Sequence, residues 1–430
     1  MKIFKNKFFL TTFILILSGL STKALGLIIR IIFTRIVGTK AISLYTIVMP
    51  TYSLLLTICT FAMPTTIAKL IAQNKNIKIL NSATIIILLI NTIIIILMYI
   101  FAPFLANNLL KEPDSYYLLI AMTFTLPFAS IACILKGYFY GIQKNIPHVI
   151  SNTIEQIIRL LLIIIIMPKL IKISYVYAAV GLILTSFFTE AASVITFLFF
   201  MNKKDVINLT KIKFYPSYAK DILNISVPLV SSRIIGNICY FLEPIILTNI
   251  LLYVGYSNDY ILQEYGAYNA YAISTLTIPS FFINAIALAL IPEISKYIKL
   301  KDYKIVKKRI KQSFIFTFLI GSFFTFIIFI FRDNILTLLY DTTLGSNYIK
   351  YLSPFFIIFY FEAIYSSIMQ AINKAATTLK ITILGSILKL VILATFAYLK
   401  LGIYSLLISE IVNIIFIVLL NHLLLKKYLK

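Results

Sequence analysis

Long apolar runs separated by short polar connections fill this sequence from end to end. A helix needs about 20 apolar residues to cross the ~30 Å hydrocarbon layer of a membrane, and runs of that length occur about twelve times. They are centred near residues 20, 55, 90, 126, 157, 187, 237, 280, 323, 361, 388 and 413. The pattern predicts an all-α polytopic membrane protein with about twelve transmembrane helices.

The second half of the chain repeats features of the first half in the same order. A hydroxyl, a cation and a glycine in residues 22–26 (TKALG) recur with the same spacing in residues 232–236 (SRIIG). Further matches relate Pro50 and Pro64 to Pro279 and Pro292, residues 140–144 to 370–374, and Arg159 to Lys389. Because six helices per half is an even number, both halves insert in the same orientation. We therefore predict two six-helix lobes, 1–200 and 222–430, joined by a basic cytoplasmic linker, 201–221.

Composition and charge indicate a location in the membrane and the orientation of the chain. The chain is 60% apolar and 13% charged, against ~45–50% apolar residues in soluble domains. Its formal net charge is +24, but the Lys residues are scattered over short loops, which does not favour nucleic acid as a partner. Twelve spans place 26 Lys and Arg on one side of the membrane and nine on the other. The positive-inside rule then puts both termini in the cytoplasm, with anionic inner-leaflet lipids as neighbours.

Signals for an enzyme or a metal site are weak. The three cysteines fall in predicted spans at spacings that match no disulfide or zinc motif, and His148 and His422 stand apart. The sequence has no GxxxxGK[ST] phosphate loop, so we expect no ATP hydrolysis, no cofactor and no metal. A membrane glycosyltransferase is the enzyme alternative, but the predicted outer connections hold few acids for it.

Cations inside predicted spans are the main candidates for ligand binding, because such charges normally face a bundle interior or a watery cavity. For Lys23, Arg30 and Arg233 we predict a positively charged cavity that binds an anionic substrate group such as pyrophosphate. The alternative is that these side chains extend to the membrane interface, which suits Arg30, near a helix end, better than the other two.

Acids inside the spans form the second group of candidates. Glu155 and Arg159 lie four residues apart, so we expect an intrahelical ion pair. Lys389 has Gly385 one turn back and therefore no such partner. Three roles stay open for the single acids: pairing with cations, protonation by burial, or binding of a coupling ion. These acids are Glu190, Glu243, Glu362 and Glu410.

Several segments resemble one known family. These are residues 137–143 (GYFYGIQ), Pro147 and residues 154–159 (IEQIIR), supported by residues 22–26, 35–38 and 63–69. Together they resemble the stage V sporulation protein B branch of the MOP superfamily, relatives of lipid II flippases and polysaccharide-repeat exporters. The resemblance implies two lobes around a cationic cleft that opens alternately to each side. Lys23 falls where the flippases have a cavity arginine, and Ile29 replaces another of their cavity cations.

The resemblance implies transport of an undecaprenyl-pyrophosphate-linked, lipid II-like precursor for peptidoglycan or spore cortex synthesis. We expect a monomer in the bacterial cytoplasmic membrane, driven by Na⁺, H⁺ or the membrane potential. We further expect Glu155, Arg159, Lys389, Glu243 and Glu362 to form cavity or gate ion pairs. Alternatives are an exporter of lipid-linked polysaccharide repeats, a cation-coupled multidrug extruder, and a membrane scaffold that transports nothing. A drug extruder usually needs an acid in the first helix of a lobe, and the first helix here has none.

Overall fold

The computed structural model describes residues 7–74, 76–203, 205–206 and 213–428, and the side chains of residues 7–21, Lys23 and Ser232 lie outside that description. Nearly all of these residues are helical. The helices of the first half are α1 (Lys7–Thr60), α2 (Met63–Asn74), α3 (Lys78–Phe104), α4 (Ser115–Gly141), α5 (Ile146–Ile173) and α6 (Tyr175–Phe200). Those of the second half are α7 (Pro216–Tyr253), α8 (Asn258–Gly266), α9 (Ser280–Lys299), α10 (Tyr303–Ile330), α11 (Arg332–Tyr340), α12 (Ser346–Phe359), α13 (Phe361–Ala371), α14 (Ala375–Tyr398) and α15 (Tyr404–Tyr428).

Helix α1 is broken at Gly38, where φ is 73° and ψ is 177°. Glycine adopts that conformation because it has no Cβ. The chain breaks again at Phe61 and Ala62, which both have positive φ, and Pro64 then lies in the first turn of α2. Pro64 therefore follows a break between two helices, whereas Pro50 lies inside α1.

Ten helices of the described chain are long and apolar enough to cross a membrane. One of them, Ala24–Asn74, contains both sides of the break at Gly38. Counting the two sides of this break as separate crossings gives eleven. Adding α5, with its apolar stretch 160–166, gives the twelve crossings that the sequence predicts. The all-α membrane fold is confirmed.

The helices form two compact units, unit 1 (Met1–Phe241) and unit 2 (Leu242–Lys430). The boundary falls inside α7, so the first part of that helix belongs to unit 1 and its last part to unit 2. The lobe boundaries at 200 and 222 stay predictions. Residues 204 and 207–212 of the predicted linker lie outside the described residues.

The internal repeat is visible in the turns of the two units. Gln143 and Asn373 have φ values of 58° and 60°, and Lys111 and Asp341 have values of 56° and 58°. Members of each pair are 230 positions apart, the separation that also relates Arg159 to Lys389. After the first pair, the next amide donates to the carbonyl five residues back, at 3.0 and 2.7 Å. A left-handed residue with this bond closes a helix in the Schellman manner.

Residues 137–141 (GYFYG) form a close-packed joint between α2 and α4 in unit 1. A Cβ added to Gly137 would lie 2.8 Å from Ile67 Cβ, and one added to Gly141 would lie 2.7 Å from Ile71 Cβ. Small residues four apart let membrane helices approach this closely. Phe139, between the two glycines, is buried and its ring centroid lies 5.5 Å from that of Phe197. This part of the family resemblance is thus a packing element.

Neutral hydrogen bonds hold the first part of α7 within unit 1. Ser226 and Thr66 hydroxyls are 2.9 Å apart. Asn237 donates to Thr57 Oγ1 at 2.7 Å and accepts from Ser53 Oγ at 3.1 Å. Such bonds satisfy polar groups that lipid could not, and they link α7 to α1 and α2.

Unit 2 has an unusually polar core of buried tyrosines. Its largest fully buried side chains include Tyr265, Tyr268, Tyr271 and Tyr360. The Tyr360 hydroxyl donates to the Leu276 carbonyl at 2.7 Å, because a buried tyrosine requires a partner for its polar end. This core supports the helices that carry the unit's charged residues.

Candidate functional site

Two membrane-embedded charge clusters, one in each unit, contain most of the predicted site residues. Lys23 and Arg30 lie on α1, although the side chain of Lys23 is outside the described residues. Arg30 is exposed, and both Arg30 and Arg159 act electrostatically on Tyr45. In an unbroken helix Arg30 and Tyr45 would be about 22 Å apart. The break at Gly38 therefore brings the second part of α1 back toward the first.

The acid of the unit 1 cluster has a different partner from the one predicted. Glu155 Oε1 lies 3.4 Å from Lys136 Nζ on α4, rather than pairing with Arg159 one turn along α5. Ser151 donates to the same oxygen at 3.3 Å and lies 2.7 Å from the Ser193 hydroxyl of α6. Glu155 therefore links α5 to α4 and, through Ser151, to α6. Its side chain faces the neighbouring helices rather than Arg159 on its own helix.

Arg159 points to α6 instead. One of its terminal nitrogens donates to Thr189 Oγ1 at 3.3 Å, and its charge acts on Glu190 one residue further on. Arg159 Nε, Glu190 Oε2 and Gln156 Oε1 are buried without a hydrogen-bond partner among the described residues. Buried polar atoms almost always have partners. The cluster therefore has unused hydrogen-bonding capacity that a ligand or water could fill.

Cations outnumber acids around this cluster. Cys133 feels the charges of Lys136, Glu155, Glu190 and Arg233, which places Arg233 of α7 in the same neighbourhood. Arg233 is exposed. Counting Arg30 and Arg159 as well, four described cations accompany the two acids. The structure thus brings Arg30, Arg159 and Arg233 into one electrostatic neighbourhood with an excess of positive charge.

Unit 2 contains a closed ion triad. Lys389 Nζ on α14 lies 2.6 Å from Glu243 Oε2 on α7 and 2.6 Å from Glu410 Oε2 on α15. Side-chain exposure of the three residues is only 16%, 5% and 16%. Lys389 has no acid one turn back on its own helix, and these two acids on other helices pair with it instead. Glu243 and Glu410 take the cation-pairing role that the sequence left open.

Glu362 lies beside the triad without joining it. Its charge acts on that of Glu410, and the described residues include no cation within 4.0 Å of it. It lines a cavity of about 360 Å³ together with Ser280, Asn284 and Tyr360. The unit 2 neighbourhood therefore holds three acids and one cation, the reverse of the balance in unit 1.

Lys136 is the member of the unit 1 cluster that sequence reasoning did not single out. It lies inside α4, which continues to Gly141. Its position directly before the GYFYG segment, inside an apolar helix, was the available signal. Among the described residues no three His, Cys, Asp or Glu side chains are grouped to hold a metal ion.

Known proteins match this chain along most of its length. The polysaccharide biosynthesis protein family matches residues 10–298, and the MatE family matches residues 234–395. Stage V sporulation protein B of Bacillus subtilis (strain 168) is 30% identical over 397 residues, which are 90% of this chain and 77% of that protein. The lipid II flippase MurJ of the same organism is 22% identical over 423 residues, which are 89% and 76% of the two chains.

The solved structures show the same fold. A multidrug resistance MATE family transporter of the MOP superfamily, in an inward-facing conformation, matches with a TM-score of 0.75 at 15% identity. The match covers 95% of this chain and 94% of the transporter. MurJ is named a flippase and the MATE protein a transporter, and neither name is that of an enzyme. The chain is a multi-pass membrane protein that belongs to the polysaccharide biosynthesis protein family, in the branch of stage V sporulation protein B.

Proposed function

We propose that this transporter is an alternating-access flippase for an undecaprenyl-pyrophosphate-linked, lipid II-like cell-wall precursor, used in peptidoglycan or spore cortex synthesis. The observation that carries the proposal is the excess of cations in the membrane-embedded cluster of unit 1. A pyrophosphate diester is the part of such a precursor that every sugar variant shares, and it is anionic. The names of the relatives, a sporulation protein and a lipid II flippase, agree with this substrate class.

In this proposal Lys23, Arg30 and Arg233 contact the pyrophosphate. Guanidinium groups bind phosphate oxygens through two parallel hydrogen bonds, and Arg233 is exposed for such contact. Glu155 and Lys136 neutralise each other and position α4 against α5. Arg159 is held by Thr189 and keeps an unpartnered Nε. The acids of the cluster thus reduce its positive charge without cancelling it. The remaining charge is enough to bind an anion and small enough to let the anion leave.

The orientation and energy source belong to the same proposal. Both termini lie in the cytoplasm of the bacterial cell, the chain acts as a monomer, and Na⁺, H⁺ or the membrane potential drives transport. Moving one charge across the membrane is worth ~2.3 kcal/mol per 100 mV, so an anionic headgroup moving outward gains from an inside-negative potential. Glu243, Glu362 and Lys389 in unit 2 are the charges that respond to the coupling ion.

An exporter of lipid-linked polysaccharide repeats is the second candidate. The family that matches residues 10–298 is described as polysaccharide biosynthesis protein, and this description favours such an exporter. Its substrates carry the same pyrophosphate, so the unit 1 cluster serves both candidates equally. A cation-coupled drug extruder fits less well, because a cationic drug would be repelled by the excess positive charge.

Reconstitution in proteoliposomes tests the proposal. Labelled lipid II and an unrelated lipid-linked oligosaccharide are supplied on one side, and the label that becomes accessible on the other side is measured. We expect lipid II to move, and we expect Lys23→Ala and Arg233→Ala to reduce its rate at least tenfold. Loss of a charge-assisted hydrogen bond of ~1.5–3 kcal/mol gives that factor.

Lys220→Ala provides the matched control, because Lys220 is an exposed cation on the same helix, near its first turn. The control should transport at the wild-type rate. Full lipid II transport by both cavity variants would refute the proposed role of these cations. Movement of the oligosaccharide alone would favour the second candidate.

A further inference from the structure

Three connections meet at one end of unit 2 and build a polar pocket there. They are residues 254–257 between α7 and α8, residues 341–345 between α11 and α12, and residues 399–403 between α14 and α15. The Tyr256 hydroxyl donates to the Lys400 carbonyl at 2.7 Å, which joins the first connection to the third. Helix α10, which leads into α11, begins at the opposite end, where residues 296–311 hold eight Lys and Arg. By the positive-inside rule the pocket faces the outside of the cell.

Two of these connections contain a closely packed glycine with positive φ. Gly345 has a φ of 90°, and a Cβ added there would lie 2.7 Å from the Ala267 carbonyl. Gly402 has a φ of 59°, and a Cβ there would lie 3.2 Å from the Tyr256 hydroxyl. Only glycine combines positive φ with such close approach. Side chains are therefore excluded where connection 341–345 meets the helical segment 267–273 and where connection 399–403 meets Tyr256.

The pocket itself has a volume of about 240 Å³ and is lined by aromatic rings and hydrogen-bonding groups, including Tyr260, Glu264, Thr343, Asn347, Tyr348 and Tyr404. No cation is among the described residues that line it. Its volume is below the ~300–1,000 Å³ of sites for drug-sized ligands. It is therefore suited to a ligand of about one ring.

Contacts among the tyrosines fix the pocket walls. Tyr260 stacks on Tyr256 with ring centroids 5.3 Å apart, and Tyr404 packs edge-on against Tyr348 at 5.9 Å. The Tyr348 hydroxyl donates to Glu264 Oε2. That bond orients the carboxylate and leaves its second oxygen without a described partner. Tyr404 is 39% exposed, so part of this side chain is accessible.

We infer that this pocket binds a neutral saccharide unit. Sugar rings present apolar C–H faces, which pack on the faces of tyrosine rings, and hydroxyls, which need both donors and acceptors. The pocket supplies a carboxyl acceptor in Glu264, an amide in Asn347, and hydroxyls in Thr343 and the tyrosines. Carbohydrate hydroxyls therefore find complementary groups on several sides at once.

Two other ligand classes fit the pocket less well. An anion would face Glu264 with no cation lining the site. An organic ammonium ion would gain from the aromatic rings. A quaternary ammonium ion, however, has no N–H to donate and would leave the amide and hydroxyl acceptors of the pocket without donors.

The pocket is a site separate from the unit 1 cluster, and its link to transport rests on the proposed function. Two sources supply a saccharide on the outer side of the membrane. One is the sugar headgroup of the lipid-linked substrate after it has crossed, and the other is a glycan already present at the cell surface. Both are recognised by the same chemistry, and the experiment below separates them.

The first experiment measures saccharide binding without transport. Full-length protein is placed in nanodiscs, because maltoside detergents would themselves supply sugar rings. Saturation-transfer NMR is then recorded with N-acetylglucosamine, with glucose and with choline. We expect signals from a saccharide in the wild type, at least a fivefold loss in Tyr404→Ala and Glu264→Gln, and retention in Tyr404→Phe.

Tyr398→Ala is the control, since Tyr398 is an exposed ring at the same end of unit 2 that does not line the pocket. It should bind as the wild type does. Equal saccharide signals in all variants, no saccharide signal in the wild type, or a choline signal that replaces the saccharide signal would overturn the inference. Apparent Tm values show which variants are folded, and Glu264→Gln carries the test if Tyr404→Ala is not folded.

Transport measurements then identify the source. If lipid II flipping falls in Tyr404→Ala together with binding, the saccharide is the headgroup of the substrate. If binding falls while flipping stays at the wild-type rate, the saccharide belongs to a surface glycan; either result supports the pocket. A failure of Arg233→Ala to reduce flipping bears only on the proposed function, because the binding assay does not depend on transport.

Discussion

The charge clusters of the two units differ in how completely their charges are paired. In unit 2, Lys389 Nζ lies 2.6 Å from each of two carboxylates, so the charge of this cation is paired. In unit 1, the ion pair of Lys136 and Glu155 is longer, at 3.4 Å, and buried atoms of Arg159 and Glu190 have no described hydrogen-bond partner. A closed network fixes structure, whereas an open one has capacity for a ligand.

Helix α7 shows the same difference along its own length. Its first part, in unit 1, is held by neutral hydrogen bonds from Ser226 and Asn237. Its last part, in unit 2, is held by the ion pair of Glu243 with Lys389. Hydrogen bonds between membrane helices average only ~0.6 kcal/mol, while breaking a buried ion pair costs ~3–5 kcal/mol. We therefore expect unit 2 to provide the rigid anchor and unit 1 the adjustable contacts.

The largest effect is expected from Lys389→Ala. This change leaves Glu243 and Glu410 buried without their shared cation, so it should destabilise the protein by ~3–5 kcal/mol. The measurement is the apparent Tm, together with the yield of monodisperse protein in detergent.

A triple variant supplies the control for Lys389→Ala. With Glu243→Gln, Lys389→Met and Glu410→Gln combined, no buried charge is left unpaired, and most of the lost stability should return. An unchanged Tm in Lys389→Ala would show that the triad is not the anchor of unit 2.

The second effect concerns the close-packed joint between α2 and α4, which begins one residue after Lys136. Gly137→Ala places a Cβ 2.8 Å from Ile67 Cβ and 2.9 Å from the Pro64 carbonyl, so α2 and α4 must separate. Overpacking of this kind costs ~1–3 kcal/mol. We expect a lower Tm and reduced transport.

Gly236→Ala is the matched control, because nothing lies within 4 Å of a Cβ at that position. The control should be neutral or slightly stabilising, since alanine favours a helix over glycine. If both glycine variants behave alike, close packing of α2 on α4 does not matter.

The sequence predicts the fold well and the charge partners poorly, for physical reasons. Apolar runs, turn residues such as Gln143 and Asn373, and the positions of Arg159 and Lys389 depend on local pattern, which the chain shows directly. Partner choice depends on which helix faces which. The bond of Glu155 to Lys136 rather than Arg159 is set by the packing of α4 on α5, and no local spacing reports it.

A smaller effect is expected from Arg159→Met, the unit 1 counterpart of Lys389→Ala. Arg159 has one side-chain hydrogen bond, to Thr189 at 3.3 Å, so its loss should destabilise by ~1–2 kcal/mol. Transport should fall more than stability does, because the open cluster loses a cation. Tm and flipping are measured on the same preparation, and a Tm loss as large as that of Lys389→Ala would remove the distinction between the two clusters.

The smallest effect is expected where α7 is held by neutral bonds. Thr66→Val removes the 2.9 Å bond to the Ser226 hydroxyl at nearly constant volume and should cost ~0.6 kcal/mol. The double variant Thr66→Val with Ser226→Ala should cost little more than either single change, because both remove one shared bond. Double-mutant cycles on apparent stability measure this coupling. A coupling above ~2 kcal/mol would mean that the first part of α7 is anchored as firmly as Glu243 anchors its last part, and unit 1 would then not be the adjustable side.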